Sequence, residues 1–187
     1  MSVAKLERSI EKICEMLRRQ ERAQDGLLVL TREIVRGCAL AIKAMHARER
    51  KLARRELEKV ERLVRKARKG SKDFEYVVLT AYQEYAEAKI LLAVQEGEEL
   101  PTYEELDIPF EAYLLGLCDA VGELRREMLE ELKRGRRKNA QRYFETMNAI
   151  YEAMLPIHFS NSLLPNFKKK QDVARIQVEQ ARSELLR

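Results

Sequence analysis

The chain has 187 residues, of which 36% are charged and 45% hydrophobic, with only 7 glycines and 4 prolines. That length suits one domain with a real core, and the profile excludes a disordered or β-rich chain in favour of a helical one. The net charge of +5 and isoelectric point near 9.1 are modest, so where the basic residues stand matters more than how many there are. No signal peptide and no apolar run of about 18 residues is present, which argues against export and a membrane span. Cys14, Cys38 and Cys118 have neither pairing nor metal-ligand spacing, as expected in a reducing cytoplasm.

From Ser2 to Met45 apolar residues recur at helical spacing: Leu6, Ile10, Ile13, Cys14 and Leu17, then Leu27, Leu30, Ile34, Ala41 and Met45. Gly26 and Gly37 weaken this span without ending it, so it predicts one long helix or two with a bend. Residues 49–69 form a highly charged second helix with a thin apolar stripe, with Gly70 as its C-terminal cap. A third helix is predicted from Asp73 to Gln95. Gly97–Pro109, with two prolines, reads as a loop containing one turn at Thr102–Leu106. The fourth helix is predicted to start at Asp107 as N-cap, with Pro109 in its first turn, and to run to Arg134 before Gly135 stops it. A fifth spans Arg137–Leu155. Ser160–Asn166 is turn-rich, and a last helix covers Lys168–Leu186. Nothing reads as a strand. The expected fold is an all-α bundle of six or seven helices.

Two carboxylate pairs stand out. Glu84 and Glu87 lie in YQEYAEA (82–88), and Asp119 and Glu123 in LLGLCDAVGELRR (114–126). Spaced i,i+3 and i,i+4, each pair shares one face of its helix. Two such helices side by side would surround one small volume with four hard oxygen donors, a set suited to Mg²⁺ or Mn²⁺. At 100° per residue Glu84 falls at the edge of the third helix's core face and Glu87 beyond it. Asp119 and Glu123 oppose the Leu/Val stripe of the fourth helix, among the small residues Ala112, Gly116 and Ala120. A helix bulky on one side and small on the other is covered on both. Helical acids also form solvated faces or pair with cations; Arg126 follows Glu123 at i+3, and Lys89 lies close to Glu87. No Glu-x-x-His motif of the di-iron kind is present. His46 and His158 read as structural or surface residues and Cys118 as a small core residue. Tyr82, Tyr85 and Tyr113 sit at core spacing.

Basic residues cluster in three places. Residues 48–72 hold twelve Lys and Arg against four acids, Lys133–Arg142 is a second cluster, and Lys168–Lys170 a third. Such density neutralises phosphates and makes binding salt-dependent. The first cluster rings much of its helix, which also fits a solvated surface. No aromatic RNA-binding pattern, zinc finger or Gly-rich phosphate loop accompanies them.

YQEYAEA (82–88), PTYEEL (101–106), YLLGLCDAVGELRR (113–126) and KKKQDVAR (168–175), with TREIVR (31–36) and AIKAMH (41–46), resemble the translin/TRAX family over nearly the whole chain, most closely its TRAX branch. The resemblance implies a helical fold that assembles into a closed, usually octameric, homo-oligomeric shell and binds RNA, or single-stranded DNA, on its interior. TRAX-type subunits supply the active site of a Mg²⁺-dependent endoribonuclease. On that pattern Glu84, Glu87, Asp119 and Glu123 match the metal-binding, catalytic acids. Arg32, Arg36, Lys168, Lys169, Lys170 and Arg175 are the implied RNA contacts. Translin-type subunits lack the equivalents of Glu84, Glu87 and Asp119, so this chain resembles an active subunit. It is shorter than eukaryotic TRAX and lacks a long basic tail. It resembles an archaeal homologue that forms the shell alone, which leaves the need for a translin-like paralogue in doubt. The competing expectation is a non-catalytic RNA or single-stranded DNA binder.

Overall fold

A computed structural model describes residues 3–72 and 74–186, and among them every regular element is a helix. The chain order is α1 (Ala4–His46), α2 (Arg50–Gly70), α3 (Glu75–Glu96), α4 (Phe110–Lys133), α5 (Arg137–Met154) and α6 (Phe167–Leu185). Most ends agree with the periodicity to within one or two residues. The predicted starts at Ser2 and Asp73 lie outside the described residues.

α1 is one unbroken helix of 43 residues, about 65 Å long. Its two halves differ. From Leu27 onward it buries Leu27, Leu30, Ile34, Cys38, Ala41 and Met45 at i,i+3/i+4 spacing. Before that, Leu6, Ile10, Ile13, Met16 and Leu17 are all exposed, with Leu17 beside Phe74 at a surface pocket. α2 buries one stripe, Ala53, Leu57, Val60, Val64 and Ala67, and lies against α1. α3 is buried on most sides, packed between α1 and α4, while α4 also carries α5 and α6. The α3–α4 seam is therefore the centre of the bundle.

Two predicted caps are corrected. Gly70 is the last residue of α2, with Ser71 beyond it, and not a left-handed residue past the helix end. Asp107 is not the N-cap of α4; Pro109 holds that position. Asp107 instead closes the preceding turn with φ 51°. The predicted turn at Thr102–Leu106 is present. Thr102 and Glu105 cap each other reciprocally, the Thr102 N–H donating to Glu105 Oε2 at 2.8 Å and the Glu105 N–H to Thr102 Oγ1 at 3.3 Å. The Ile108 N–H then returns to the Tyr103 carbonyl at 3.2 Å. That returning bond requires a left-handed residue at 107, which Asp tolerates better than most.

Candidate functional site: a carboxylate pocket between α3 and α4

The acids converge because α4 is thin where it meets α3. A Cβ on Gly116 would stand 2.7 Å from both the Ala86 Cβ and the Gln83 carbonyl oxygen, and 3.1 Å from the Glu87 nitrogen. Only glycine allows the two backbones this close. Ala112 and Ala120, a turn to either side, are fully buried. The stripe of small residues thus seats α4 on the very segment of α3 that carries Glu84 and Glu87. α6 closes the pocket from above, with the Gln177 amide oxygen 2.9 Å from where a Cβ on Gly122 would lie.

The result is a pocket of about 830 Å³. Its walls include all four predicted acids, Glu84, Glu87, Asp119 and Glu123, together with Gln83, Cys118, Lys169, Lys170 and Gln177. The acids are not equivalent. Asp119 accepts from Lys170 Nζ at 2.5 and 2.7 Å and from Gln83 Nε2 at 2.6 Å. Glu123 Oε2 lies 2.5 Å from His46 Nε2 and 3.8 Å from Arg126, and the His46 bond holds its carboxyl below the usual range. Glu84 and Glu87 have no hydrogen bond or ion pair to any described residue. Burial raises both, and neighbouring acids add to it: Asp119 for Glu84, and Glu84 and Asp119 for Glu87, which reaches about 8.

Two expectations about α3 are corrected. Glu87 is not beyond the core face; it is only 9% exposed and lies deeper than Glu84. Its position falls on the seam with α4, which a single-helix wheel does not show. Lys89 does not pair with Glu87, either. Its ammonium lies 3.8 Å from Glu61 of α2, on another side of the helix.

The network that fixes Glu123 was not legible in the sequence. His46, in the last turn of α1, joins Glu123 to Glu127 through both ring nitrogens, at 2.5 and 2.6 Å. These two bonds push its pKa up to about 9, burial opposing them. Arg48 then bridges Glu127 at 2.9 Å and Glu131 at 2.6 Å, and Asn139 donates to Glu131 at 2.7 Å. The one available signal was the spacing Glu123–Glu127–Glu131, an i,i+4 ladder facing the end of the first helix. Gln83 and Gln177 were also missed; the Gln177 amide oxygen is buried without a partner.

The predicted RNA contacts separate into two groups. Lys169 and Lys170 line the carboxylate pocket. Lys168 and Arg175 are exposed and pair along α6 with Asp172 at 3.0 Å and Glu179 at 3.1 Å. Arg32 and Arg36 are exposed on α1, outside the pocket wall.

The donor set is compatible with a hard divalent cation. It is all oxygen and carries more negative charge than Lys170 balances. It also includes Glu87, a residue only 9% exposed whose carboxylate has no described hydrogen-bond or ion-pair partner. Soft or borderline ligands are withdrawn. His46 is spent on two glutamates, and burial lifts the Cys118 thiol to about 12. Among the described residues no three Asp, Glu, His or Cys side chains stand in a ready-made coordination sphere. The rotamers here turn Asp119 toward Lys170 and Glu123 toward His46.

Fold and site together define an all-helical protein with an acid-rich, lysine-edged pocket at the seam of its two central helices. The chain belongs to the Translin family, whose model matches residues 2–183. An uncharacterized protein of Methanocaldococcus jannaschii is 31% identical over 174 residues, covering 91% of this chain and 78% of that protein. Two solved structures, AfC3PO and the AfC3PO–duplex RNA complex, each superpose with a TM-score of 0.88 at 33% identity over 95% of both chains. The apo-NeC3PO structure superposes with a TM-score of 0.87 at 21% identity over 95% of each chain, a likeness of fold alone.

Proposed function

We propose that this protein is a metal-dependent endoribonuclease of the translin/TRAX type. The observation that carries the reading is Glu87, a largely buried acid with no hydrogen-bond or ion-pair partner among the described residues, beside Glu84 at the wall of an open pocket. An unpaired buried acid is costly, and a bound cation is the simplest compensation. Its four acids match those expected of a catalytic subunit, and 33%-identical AfC3PO forms a complex with duplex RNA.

In this reading Glu84 and Asp119 hold Mg²⁺ or Mn²⁺ directly. The bound ion supplies an activated water and offsets charge on the phosphate. Glu123 is held at the pocket wall by its bond to His46. Glu87, raised to about 8 by burial and its acidic neighbours, is the residue that exchanges a proton at its carboxylate oxygen. Lys169 and Lys170 face the phosphodiester from the α6 side, with Lys168, Arg175, Arg32 and Arg36 following the backbone farther out. The exposed apolar half of α1 favours an oligomeric shell, a homo-octamer by family likeness. Light scattering tests this part: a solution mass of 21.9 kDa, that of one chain, contradicts it.

The test of the activity is cleavage of a labelled RNA in Mg²⁺ or Mn²⁺, with and without EDTA. Asp119→Ala and Glu84→Ala abolish cleavage and leave RNA retardation nearly intact. Retardation without cleavage by the wild-type protein selects the second reading, a non-catalytic RNA or single-stranded DNA binder. The ion pair between Lys170 and Asp119 is the observation that favours that alternative.

A further inference from the structure

Asp119 is central to the proposed metal site, yet both of its oxygens are taken. Lys170 Nζ stands 2.5 Å from Oδ1 and 2.7 Å from Oδ2, and Gln83 holds Oδ2 as well. Oδ1 has no other described partner, so the lysine alone decides whether it is free to bind a cation. We propose that Lys170 is a resident counter-ion of this site, occupying the place of the divalent cation on Asp119 in the metal-free protein and leaving when the metal binds. The inference rests on the metal-site reading above and adds how that site is regulated.

Three further observations carry it. The α6 backbone around Lys170 is anchored: Gln171 donates to the Met154 carbonyl at 2.8 Å, and Phe167 and Ala174 are buried. Exchange therefore needs only a side-chain movement. The Lys170 side chain is 31% exposed and lines the pocket, so it has a route out to solvent. The need for a counter-ion is also local. Glu84 and Glu87 lie unpaired beside Asp119, and Lys170 is the cation that offsets all three. Lys169 lines the same pocket but pairs with no described carboxylate. A point-charge ammonium on a flexible stem suits an exchangeable role better than a forked guanidinium would. Two cations do not share one carboxylate without repulsion, so lysine and metal compete. The site then loads only when free divalent cation is abundant enough to win. Once released, the ammonium remains at the mouth of the pocket, where an anionic backbone would approach.

The experiment is a Mn²⁺ titration of the EDTA-stripped full chain without RNA, with free Mn²⁺ read by electron paramagnetic resonance. Asp119→Asn identifies the site by abolishing it. Lys170→Met, which keeps length and removes charge, is expected to bind Mn²⁺ at that site at least tenfold tighter than wild type. Lys169→Met, which removes an equal charge from the neighbouring residue of α6, is expected to change the affinity less than threefold. Lys170→Arg keeps the charge, pairs bidentately with Asp119 and is expected to bind more weakly than wild type. It also serves if the Met variant does not fold. Unchanged or weaker binding by Lys170→Met overturns the proposal, as does an equal gain from Lys169→Met or tighter binding by Lys170→Arg. Wild-type binding with no response to residue 170 overturns this inference and leaves the metal site standing. Failure of both wild type and Lys170→Met to bind Mn²⁺ overturns the two together.

Discussion

Two sets of glutamates lie close together in the bundle and meet opposite treatment. Glu127 and Glu131 are almost wholly buried, at 1% and 2% exposure, and are surrounded by His46, Arg48, Arg134 and Asn139. Burial alone would raise Glu131, but the Asn139 and Arg134 hydrogen bonds outweigh it and hold the carboxyl below its ordinary range. Glu84 and Glu87, at the α3 wall of the pocket, have no such partners, and both are raised. The first set thus has cation and amide partners, and the second has no hydrogen bond or ion pair to any described residue. The compensated set fastens α1, α4 and the start of α5 together. The uncompensated set is left for something outside the chain.

That contrast gives opposite signs for substitution. Glu131→Ala leaves Arg48, Arg134 and Asn139 around an empty position. Breaking a buried, hydrogen-bonded ion network by removing one partner costs about 3–5 kcal/mol. Urea unfolding should show this as a lower midpoint with unchanged slope. A loss below about 1 kcal/mol would mean that the network contributes little and that the contrast is false.

Glu87→Gln should do the reverse in metal-free protein. The folded carboxyl binds a proton up to about pH 8 against an ordinary value of 4.5, so the native state holds more protons than the unfolded chain between those limits. The contribution of Glu87 is therefore greatest below pH 4.5 and is lost as pH rises through 8. The loss reaches on the order of 3 kcal/mol by pH 7, at about 1.4 kcal/mol per pH unit. His46 acts in the same direction: raised from 6.5 to about 9, it stabilises fully below 6.5 and loses that contribution toward 9. Gln at 87 removes the first slope and keeps the second. The variant should unfold at higher temperature than wild type at pH 8 and at nearly the same temperature at pH 4. Saturating Mn²⁺ should raise the melting temperature of wild type more than that of the variant, since a ligand stabilises the state that binds it. A wild-type protein whose stability climbs between pH 5 and pH 8 would contradict the raised carboxyl.

The helices and the pocket acids were legible because each depends on local spacing. Apolar periodicity placed α1 to α6, and the i,i+3 and i,i+4 intervals put each acid pair on one face. The small-residue side of α4 also announced a close neighbour, which Gly116 delivers. What was not legible depends on side chains far apart in sequence. His46 meets Glu123 and Glu127 across 77 and 81 residues, and no local pattern encodes which histidine will face which glutamate. The depth of Glu87 was misread for the same reason, because a wheel drawn for α3 alone knows its own apolar face but not where α4 will lie. Asp107 was misplaced as a cap because the turn ahead of it supplies its own closing hydrogen bond.

Gly116→Ala probes the seam itself. The added methyl would stand 2.7 Å from the Ala86 Cβ and the Gln83 carbonyl, and one of the two helices must shift to accept it. Overpacking of this kind costs about 1–3 kcal/mol, less whatever the glycine itself loses in helix propensity. The displacement opens the distance between the α3 and α4 acids. Weaker Mn²⁺ binding should therefore accompany a modest drop in melting temperature. Stability lost without any change in Mn²⁺ affinity would show that the pocket does not depend on this contact.

The smallest expected effect concerns Glu123, which belongs to both regions. It lines the pocket with Glu84 and Glu87 yet is held by the network through His46. On its open side Arg126 approaches only to 3.8 Å and is 61% exposed. An exposed, loosely aligned pair of this kind contributes about 0–1 kcal/mol and is screened by salt. Arg126→Ala should therefore change stability by less than about 0.5 kcal/mol, and even that should disappear in high salt. His46→Gln removes the 2.5 Å partner of the same carboxylate and the link to Glu127, and should cost clearly more at pH 6 than at pH 9, where the imidazole is losing its charge. A pH-independent loss for His46→Gln equal to that of Arg126→Ala would place Glu123 wholly with the unpaired acids, and the boundary between the two regions would move one turn along α4.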